Sequence, residues 1–232
     1  MSPHHPGKTQ DWTGNKSQWL IAGSNSGMVG WKVDEEKVLN SDDVYTPVAV
    51  DFRMPNDKKA IVDSLDVLND YTVVCKCVMH GFLYVVDLCK TIQELEDFDE
   101  KTTKRIEKEA RILYKLDWSK TDNLYMNMGC NRQGLISCGD DQGCLWVYEQ
   151  PSLKTVQDLQ YNEESPAVIK ANVRLMWPDL EDSHKNGNRT ENYKKERYNI
   201  IVDKVAVSQD SQHIVAVTSN NMVCIWKRQK QL

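Results

Sequence analysis

Cysteine, histidine and paired acidic residues are the side chains in this sequence that could support catalysis or bind a metal. Cys75 and Cys77 lie one residue apart, but no second cysteine pair follows at a spacing typical of zinc sites, and the five histidines are scattered. The acidic pair in "GDD" (139–141) lies in a turn and lacks the following lysine and hydroxyl residue of a phosphate-binding loop. The sequence therefore predicts no catalytic residue, no metal site and no cofactor.

Two tryptophans in polar loops carry a better signal for binding. Trp118 lies in "KLDWSKTDN" and Trp177 in "LMWPDLED". An exposed indole ring attracts a methylammonium group by about 0.5–2 kcal/mol. The alternative is that both rings fill space between their loops and the core. Nearby acidic residues would favour a cationic peptide: Asp117, Asp122, Asp179, Glu181 and Asp182.

The loops that carry Trp118 and Trp177 must be positioned by the rest of the chain, in which one sequence unit is repeated. Four stretches each combine an apolar run, a short polar turn and a second apolar run: "WLIAGSNSGMVGWKVDE", "YTVVCKCVMHGFLYVVDL", "LISCGDDQGCLWVYEQP" and "HIVAVTSNNMVCIWKR". Gly27, Gly81, Gly143 and Asn221 occupy matching turn positions, several tens of residues apart. Repeats at such intervals are typical of arrays and propellers.

The strands of these units are apolar on both faces. In "CLWVYE", Trp146 and Tyr148 point one way while Leu145 and Val147 point the other, and "MVCIWK" (222–227) follows the same pattern. The strands of a sheet with one solvent-exposed face would alternate apolar with polar residues. We therefore expect sheets stacked face to face around an axis, as in a propeller, rather than the two sheets of a sandwich.

The domain organisation follows from this pattern. Residues 1–17 are predicted to be a disordered leader, residues 18–228 a partial propeller of about four blades, and residues 229–232 a tail. A mobile loop is expected at about 181–198. Within the propeller, "LYMNMG" (124–129) is predicted to be the first strand of its blade, and "VIKANVRLMWPDL" (168–180) to hold one strand.

A charged insertion is expected at about 92–111. Ile106, Ala110 and Leu113 have helical spacing, so the insertion can form a short helix. It is interpreted as a solvated connector between two blades, with a partner-docking helix as the alternative.

Composition limits the classes of partner. The 232 residues are 40% hydrophobic with a formal net charge of −5, which gives no reason to expect sequence-specific binding to nucleic acid. No apolar run is long enough to span a membrane, so no membrane partner is expected. Seven cysteines, several of them inside apolar runs, indicate a reducing compartment.

Two segments, "LYMNMGCNRQGLISCGDDQGCLWVYE" and "KVAVSQDSQHIVAVTSNNMVCIWKR", resemble WD40 repeats. The order of these blades, with "LMWPDL" between them, is similar to the C-terminal WD part of the family of leucine-rich repeat and WD repeat-containing proteins associated with the origin recognition complex. The resemblance covers roughly residues 18–228. The usual Gly-His and Trp-Asp pairs are missing, with Tyr148-Glu149 and Trp226-Lys227 at the blade ends, so the usual hydrogen-bonded tetrad cannot be assumed.

The resemblance implies a nuclear, non-enzymatic scaffold on chromatin. Its implied partners are origin recognition complex subunits and repressive methylated histone tails, and its implied role is support of heterochromatin replication. No leucine-rich repeat is present in this sequence. Two alternatives are a cytoplasmic WD-repeat adaptor in a motor or trafficking complex and an enzyme built on a propeller, although no convergent polar cluster supports the enzyme.

Overall fold

The computed structural model describes residues 18–33, 38, 48–54, 60–70, 72–88, 105–149, 166–177 and 200–229. Within these ranges the chain forms sixteen strands in four sheets. Among the described residues, no helix has the length and the apolar composition that a membrane span requires.

Sheet 1 begins the array. Strands β1 (Gln18–Ser24), β2 (Gly27–Val33) and β3 (Ala49–Arg53) are antiparallel neighbours. Strand β7 (Arg105–Glu109) adds to the outer edge, parallel to β3. Strands β1 and β2 are therefore the hairpin of "WLIAGSNSGMVGWKVDE", the first of the four repeated stretches.

Sheet 2 contains three antiparallel strands between residues 60 and 88. They are β4 (Val62–Asn69), β5 (Thr72–Cys77) and β6 (Phe82–Asp87). Strand β8 (Ile112–Asp117) continues the antiparallel order, and β12 (Ala167–Ile169) adds parallel to β8.

Sheet 3 is the blade of the "GDD" turn. Its order is β9 (Gly129–Cys130), β10 (Leu135–Gly139), β11 (Cys144–Glu149) and β13 (Val173–Met176), all antiparallel. The turn therefore joins β10 to β11.

Sheet 4 has three strands among the described residues. Strands β14 (Val202–Val207), β15 (His213–Thr218) and β16 (Val223–Lys227) are antiparallel neighbours.

The prediction that the charged insertion can form a short helix is wrong for residues 105–109. This segment is β7, and its charged residues Arg105, Glu107 and Glu109 alternate with the half-buried Ile106. The spacing of the apolar residues did not distinguish a helix from a strand, because in so short a segment the strand period of two fits as well as the helical period. Residues 92–104 lie outside the described part of the chain.

Two strand predictions were wrong in extent. In "LYMNMG" only Gly129 belongs to a strand and Asn127 makes an isolated bridge to Lys204, because the left-handed φ of 62° at Tyr125 interrupts the extended conformation. The stretch around Val168 contains two strands rather than one, since β12 joins sheet 2 and β13 joins sheet 3. The predicted leader and mobile loop lie outside the described residues.

The sheets stack in chain order through apolar faces. Three buried clusters lie between sheets 1 and 2, 2 and 3, and 3 and 4. Strand β11 divides as predicted, with Trp146 and Tyr148 against sheet 2 and Leu145 and Val147 against sheet 4. Each fully buried aliphatic side chain contributes about 1.5–3 kcal/mol, so the two-sided burial holds the array together. This is the partial propeller that the sequence predicts.

Glycine permits the closest contact between sheets. A Cβ atom on Gly139 would lie 2.4 Å from the carbonyl oxygen of Val202, and one on Gly23 would lie 2.2 Å from the carbonyl oxygen of Val62. Both contacts join the strand before the hairpin turn of one blade, β1 or β10, to the first strand of the next, β4 or β14. The backbones can approach only because these two positions have no side chain.

The last sheet departs from the expectation of two covered faces. Ile214 and Ala216 are buried against sheet 3, but Val223 and Ile225 on the other face are each 64% exposed. No described sheet packs on this second face. The prediction of a strand covered on both sides is therefore correct for "CLWVYE" and wrong for "MVCIWK".

Two buried tyrosines at the junction of sheets 2 and 3 give a matched stability test. The hydroxyl of Tyr148 donates to the backbone oxygen of Asp117 at 2.6 Å, whereas the buried hydroxyl of Tyr114 has no hydrogen-bond partner among the described residues. Tyr148→Phe is expected to lower the free energy of unfolding by about 1 kcal/mol, and Tyr114→Phe to raise it or leave it unchanged. Urea denaturation of both variants measures this, and equal losses would contradict the assignment.

Candidate functional site

The loops and turns at one end of sheets 2, 3 and 4 form a common surface, here called the upper rim. It consists of the turns 78–81, 140–143 and 219–222 and the loop 118–128. The Met79 amide donates to the Thr121 oxygen at 2.9 Å, which joins the turn 78–81 to the loop 118–128. The Val202 amide, at the start of β14, donates to the Asp140 oxygen at 2.9 Å, which joins the turn 140–143 to sheet 4.

The two predicted tryptophans occupy equivalent places on this rim. Trp118 follows β8 and donates its backbone N–H to the oxygen of Gly81 at 3.0 Å. Trp177 follows β13 and donates in the same way to Gly143 at 2.9 Å. Each tryptophan therefore fastens the end of an outer strand to the turn of its own blade.

Both rings are buried. Trp118 packs in the cluster between sheets 2 and 3, and the Lys76 ammonium lies 5.5 Å from its ring centroid. Trp177 packs between sheets 3 and 4, edge-to-face with Trp226 at a centroid distance of 5.7 Å. The structure therefore does not bring the two rings together, and the cation over Trp118 is the chain's own lysine.

The predicted acidic residues have different environments. Asp122 is exposed on the loop, whereas Asp117 is half-buried at the end of β8. Asp179 lies outside the described residues, as do Glu181 and Asp182. Asp141 is the second acid of the "GDD" turn, and its carboxylate accepts from the Thr121 hydroxyl at 2.7 Å and thus holds the loop to the next blade.

Three exposed apolar side chains on the upper rim were missed by the sequence analysis. Tyr125 is 72% exposed, Met79 is 50% exposed and Leu124 is 45% exposed. Met79 and Tyr125 also have positive φ angles of 67° and 62°. Left-handed backbone at such residues is strained, and strain of this kind clusters at functional sites. The apolar pattern of "LYMNMG" concealed this surface because it was interpreted as a strand.

The loop that carries Tyr125 is fixed by hydrogen bonds from beneath. The Tyr125 amide donates to Asp63 at 2.6 Å, the Met128 amide to the Ser64 hydroxyl at 3.0 Å, and the Cys130 amide to Asp66 at 2.8 Å. All three acceptors belong to β4, the inner strand of the preceding blade. The exposed residues therefore stand on an ordered support.

A buried ion pair lies within this support. The Lys76 ammonium is 2.7 Å from the Asp63 carboxylate, and both side chains are almost completely buried. One Asp63 oxygen accepts from both Lys76 and Tyr125, and the other has no partner among the described residues. The pair couples β5 of sheet 2 to the rim loop.

The "GDD" turn has the structural role that the sequence predicted. The Asp140 carboxylate is buried and accepts from the Gln142 amide at 2.9 Å, the Cys144 amide at 2.8 Å and the Trp146 indole N–H at 2.8 Å. Asp140 therefore links the turn to Trp146 of strand β11 by a hydrogen bond, in a blade where the usual WD40 tetrad could not be assumed.

The cysteines of the sheets are packed side chains. Cys75 and Cys77 lie in the cluster between sheets 1 and 2. Burial raises the pKa of Cys138 to about 12 and that of Cys144 to about 11. A hydrogen bond from Cys75 lowers the pKa of Cys77 to about 7, but Cys77 is fully buried. Reactive thiols need both thiolate character and access, and these four thiols are buried from solvent.

Comparison with known proteins identifies one family. The family described as "Leucine-rich repeat and WD repeat-containing protein 1, WD domain" matches residues 11–229. Proteins with the name leucine-rich repeat and WD repeat-containing protein 1 are 27% identical over 216 residues in Xenopus tropicalis and 27% identical over 214 residues in Danio rerio. Each alignment covers 90% of this chain and, respectively, 28% and 25% of the relative. The chain thus spans less than a third of their length.

Proposed function

On the premise that this chain belongs to the leucine-rich repeat and WD repeat-containing protein 1 family, we propose that it is a chromatin-associated scaffold that binds other proteins through its upper rim. Its proposed partners are subunits of the origin recognition complex and histone tails that carry repressive methylation. Its proposed role is to hold the complex on heterochromatin and support replication there. The proposal concerns the WD portion, which is the part of the relatives that this chain covers.

The family supports the absence of catalysis. The chain is a WD-repeat protein similar to its relatives in frogs and fish, and proteins of this architecture act as interaction scaffolds. The proposal therefore assigns binding rather than a reaction to the rim.

The observation that carries the proposal is the exposed apolar group on strained backbone. Met79, Leu124 and Tyr125 face solvent on a surface that hydrogen bonds hold in place. A rigid aromatic residue loses little conformational entropy on binding and is a frequent anchor of interfaces.

The proposal assigns contact with a basic partner segment to acidic residues at the loop, where Lys120 is also exposed. Asp122 is exposed beside Leu124, and Asp117 lies at the start of the loop. Asp179 remains a predicted contributor after Trp177. Because the two tryptophan rings are buried, the proposal assigns the aromatic contact with a methylammonium group to Tyr125.

Removing the exposed apolar group should weaken binding without unfolding the chain. Asparagine tolerates left-handed backbone, so the double variant Met79→Asn/Tyr125→Asn is expected to keep the loop conformation. Loss of a cation–π contact of about 0.5–2 kcal/mol corresponds to roughly 2- to 30-fold weaker binding of a trimethylated histone-tail peptide. Fluorescence anisotropy measures this. Val168→Asn, at an exposed residue of β12, is the control and should bind like the parent chain.

The broader test is a pull-down with the folded 232-residue chain. Trimethylated and unmodified histone-tail peptides and origin recognition complex subunits are the candidates. Retention of the complex, or of the methylated peptide in preference to the unmodified one, is the expected result. Retention of neither by a chain with a cooperative melting transition would refute the proposed partners.

Localisation separates the scaffold from a cytoplasmic adaptor. We expect the tagged chain to be nuclear and bound to chromatin. Persistent exclusion from nuclei would favour the adaptor in a motor or trafficking complex.

A further inference from the structure

Three buried polar side chains beneath the upper rim have more hydrogen-bonding capacity than the described residues use. They are Asp63, Lys76 and Trp118, and each is almost completely buried. One Asp63 oxygen and the Trp118 indole nitrogen have no hydrogen-bond partner among the described residues. The Lys76 ammonium can donate three hydrogen bonds, and within the same ranges it donates one, to the other Asp63 oxygen.

The three groups meet at the Lys76 ammonium. Its nitrogen lies 2.7 Å from the paired Asp63 oxygen and 5.5 Å from the centroid of the Trp118 ring. Lys76 follows Val74 by two positions on β5, so both side chains face sheet 3, and Trp118 belongs to the cluster on that face. The unpaired acceptor of Asp63 and the unpaired donor of Trp118 therefore neighbour the same ammonium group.

The chemistry of these groups defines what could satisfy them. Burying a polar atom without a hydrogen bond is costly, and native proteins pair nearly all such atoms. The ligand must donate to Asp63 and accept from Trp118. A cation would be repelled by Lys76 and an anion by Asp63, so the ligand must be neutral. A packed interior has few voids larger than a water molecule, and water is a neutral molecule that both donates and accepts.

We propose that a water molecule is bound within this group, between sheets 2 and 3. It accepts hydrogen bonds from the Trp118 indole N–H and the Lys76 ammonium, and it donates one to the second Asp63 oxygen. Three hydrogen bonds to otherwise unsatisfied polar groups are the usual number for a buried water.

The bound water acts on the position of the rim loop. Trp118 begins the loop 118–128, and the Asp63 carboxylate accepts from the Tyr125 amide at 2.6 Å. The water therefore links the start of the loop to the side chain that fixes Tyr125. Because all three water-binding groups are buried, the site forms in the free chain and does not depend on the partners proposed above.

Nuclear magnetic resonance of the 232-residue chain, with ¹⁵N in its tryptophans, tests the site without any partner. The Trp118 indole proton is expected to show a dipolar cross-peak to water, with the sign in the rotating frame that excludes chemical exchange. Trp146 is the internal control, because its indole N–H donates to Asp140 at 2.8 Å and should show no such peak. Loss of one signal in Trp118→Phe assigns the peak.

The double variant Asp63→Ala/Lys76→Met tests which groups hold the water. It replaces two of the three partners by apolar side chains, and apolar cavities stay dry, so the cross-peak at Trp118 should disappear. A parent chain without the cross-peak, or a double variant that keeps it, would overturn the proposal. A crystal structure in which the Trp118 indole donates directly to Asp63 would overturn it as well.

Hydrogen exchange tests the link to the rim. Trp118→Phe keeps an aromatic ring in the cluster but removes the N–H donor, so the Tyr125 amide should exchange roughly 5-fold faster, as for the loss of one hydrogen bond. Trp177→Phe is the matched control, because Trp177 packs between sheets 3 and 4, and it should leave the Tyr125 rate unchanged. Equal rates in the two variants would refute the link between the water and the loop.

Discussion

Replacing Asp63 with alanine is expected to lower the free energy of unfolding by about 3–5 kcal/mol, because it leaves the buried Lys76 ammonium without its counter-ion. The loss also removes the acceptor for the Tyr125 amide beneath the upper rim. Chemical denaturation monitored by tryptophan fluorescence measures the change.

Two controls identify the source of this effect. The double variant Asp63→Ala/Lys76→Met should recover most of the loss, since a buried ion pair and an apolar replacement are often close in stability. Glu149→Ala breaks an ion pair with Arg228 in which both side chains are about half exposed, so at most about 1 kcal/mol should be lost. An additive double variant would show that the pair does not act as a unit.

Introducing a methyl group at Gly139 is the second large perturbation. The Cβ atom of Gly139→Ala would lie 2.4 Å from the carbonyl oxygen of Val202, which belongs to the backbone and cannot rotate away. Sheet 4 must then move off sheet 3, at an expected cost of about 3 kcal/mol or more. Differential scanning calorimetry should show a lower melting temperature, with sheet 4 unfolding before the rest.

Gly143→Ala is the matched comparison for this variant. Its nearest neighbouring atom would be 3.6 Å away, so only the left-handed φ of 71° is unfavourable. A loss of about 1 kcal/mol is expected there. If Gly139→Ala destabilises the chain no more than Gly143→Ala, the close packing of sheets 3 and 4 is incorrect.

The fold could be predicted where one physical rule acts along a strand. The alternation of apolar residues in "CLWVYE" predicts two covered faces, and the structure buries Trp146 and Leu145 against different sheets. The turn glycines follow equally well, since Gly81 and Gly143 have left-handed φ angles. These features depend on local geometry that the sequence alone determines.

The errors arise where distant parts of the chain decide the outcome. Residues 105–109 become a strand because β3, more than fifty positions earlier, offers an edge for parallel pairing. The two faces of β16 differ because only one meets a described neighbour. Neither partner can be identified from the pattern of the segment itself.

The rim was predicted in position but not in its exposed residues. Trp118 and Trp177 end equivalent outer strands, as expected of loops between blades, yet their rings are buried. Tyr125 is exposed because its left-handed backbone turns it away from the inner strand, and this conformation depends on the acceptor Asp63 in another blade. No spacing in the sequence indicates that contact.

Hydrogen exchange of the chain bound to its retained partner is the most direct test of rim binding. The account predicts slower amide exchange in the turn 78–81 and the loop 118–128 on binding, with little change in the outer strand β12. Slower exchange confined to β12 or to the uncovered face of β16, with the rim unchanged, would contradict binding through the upper rim.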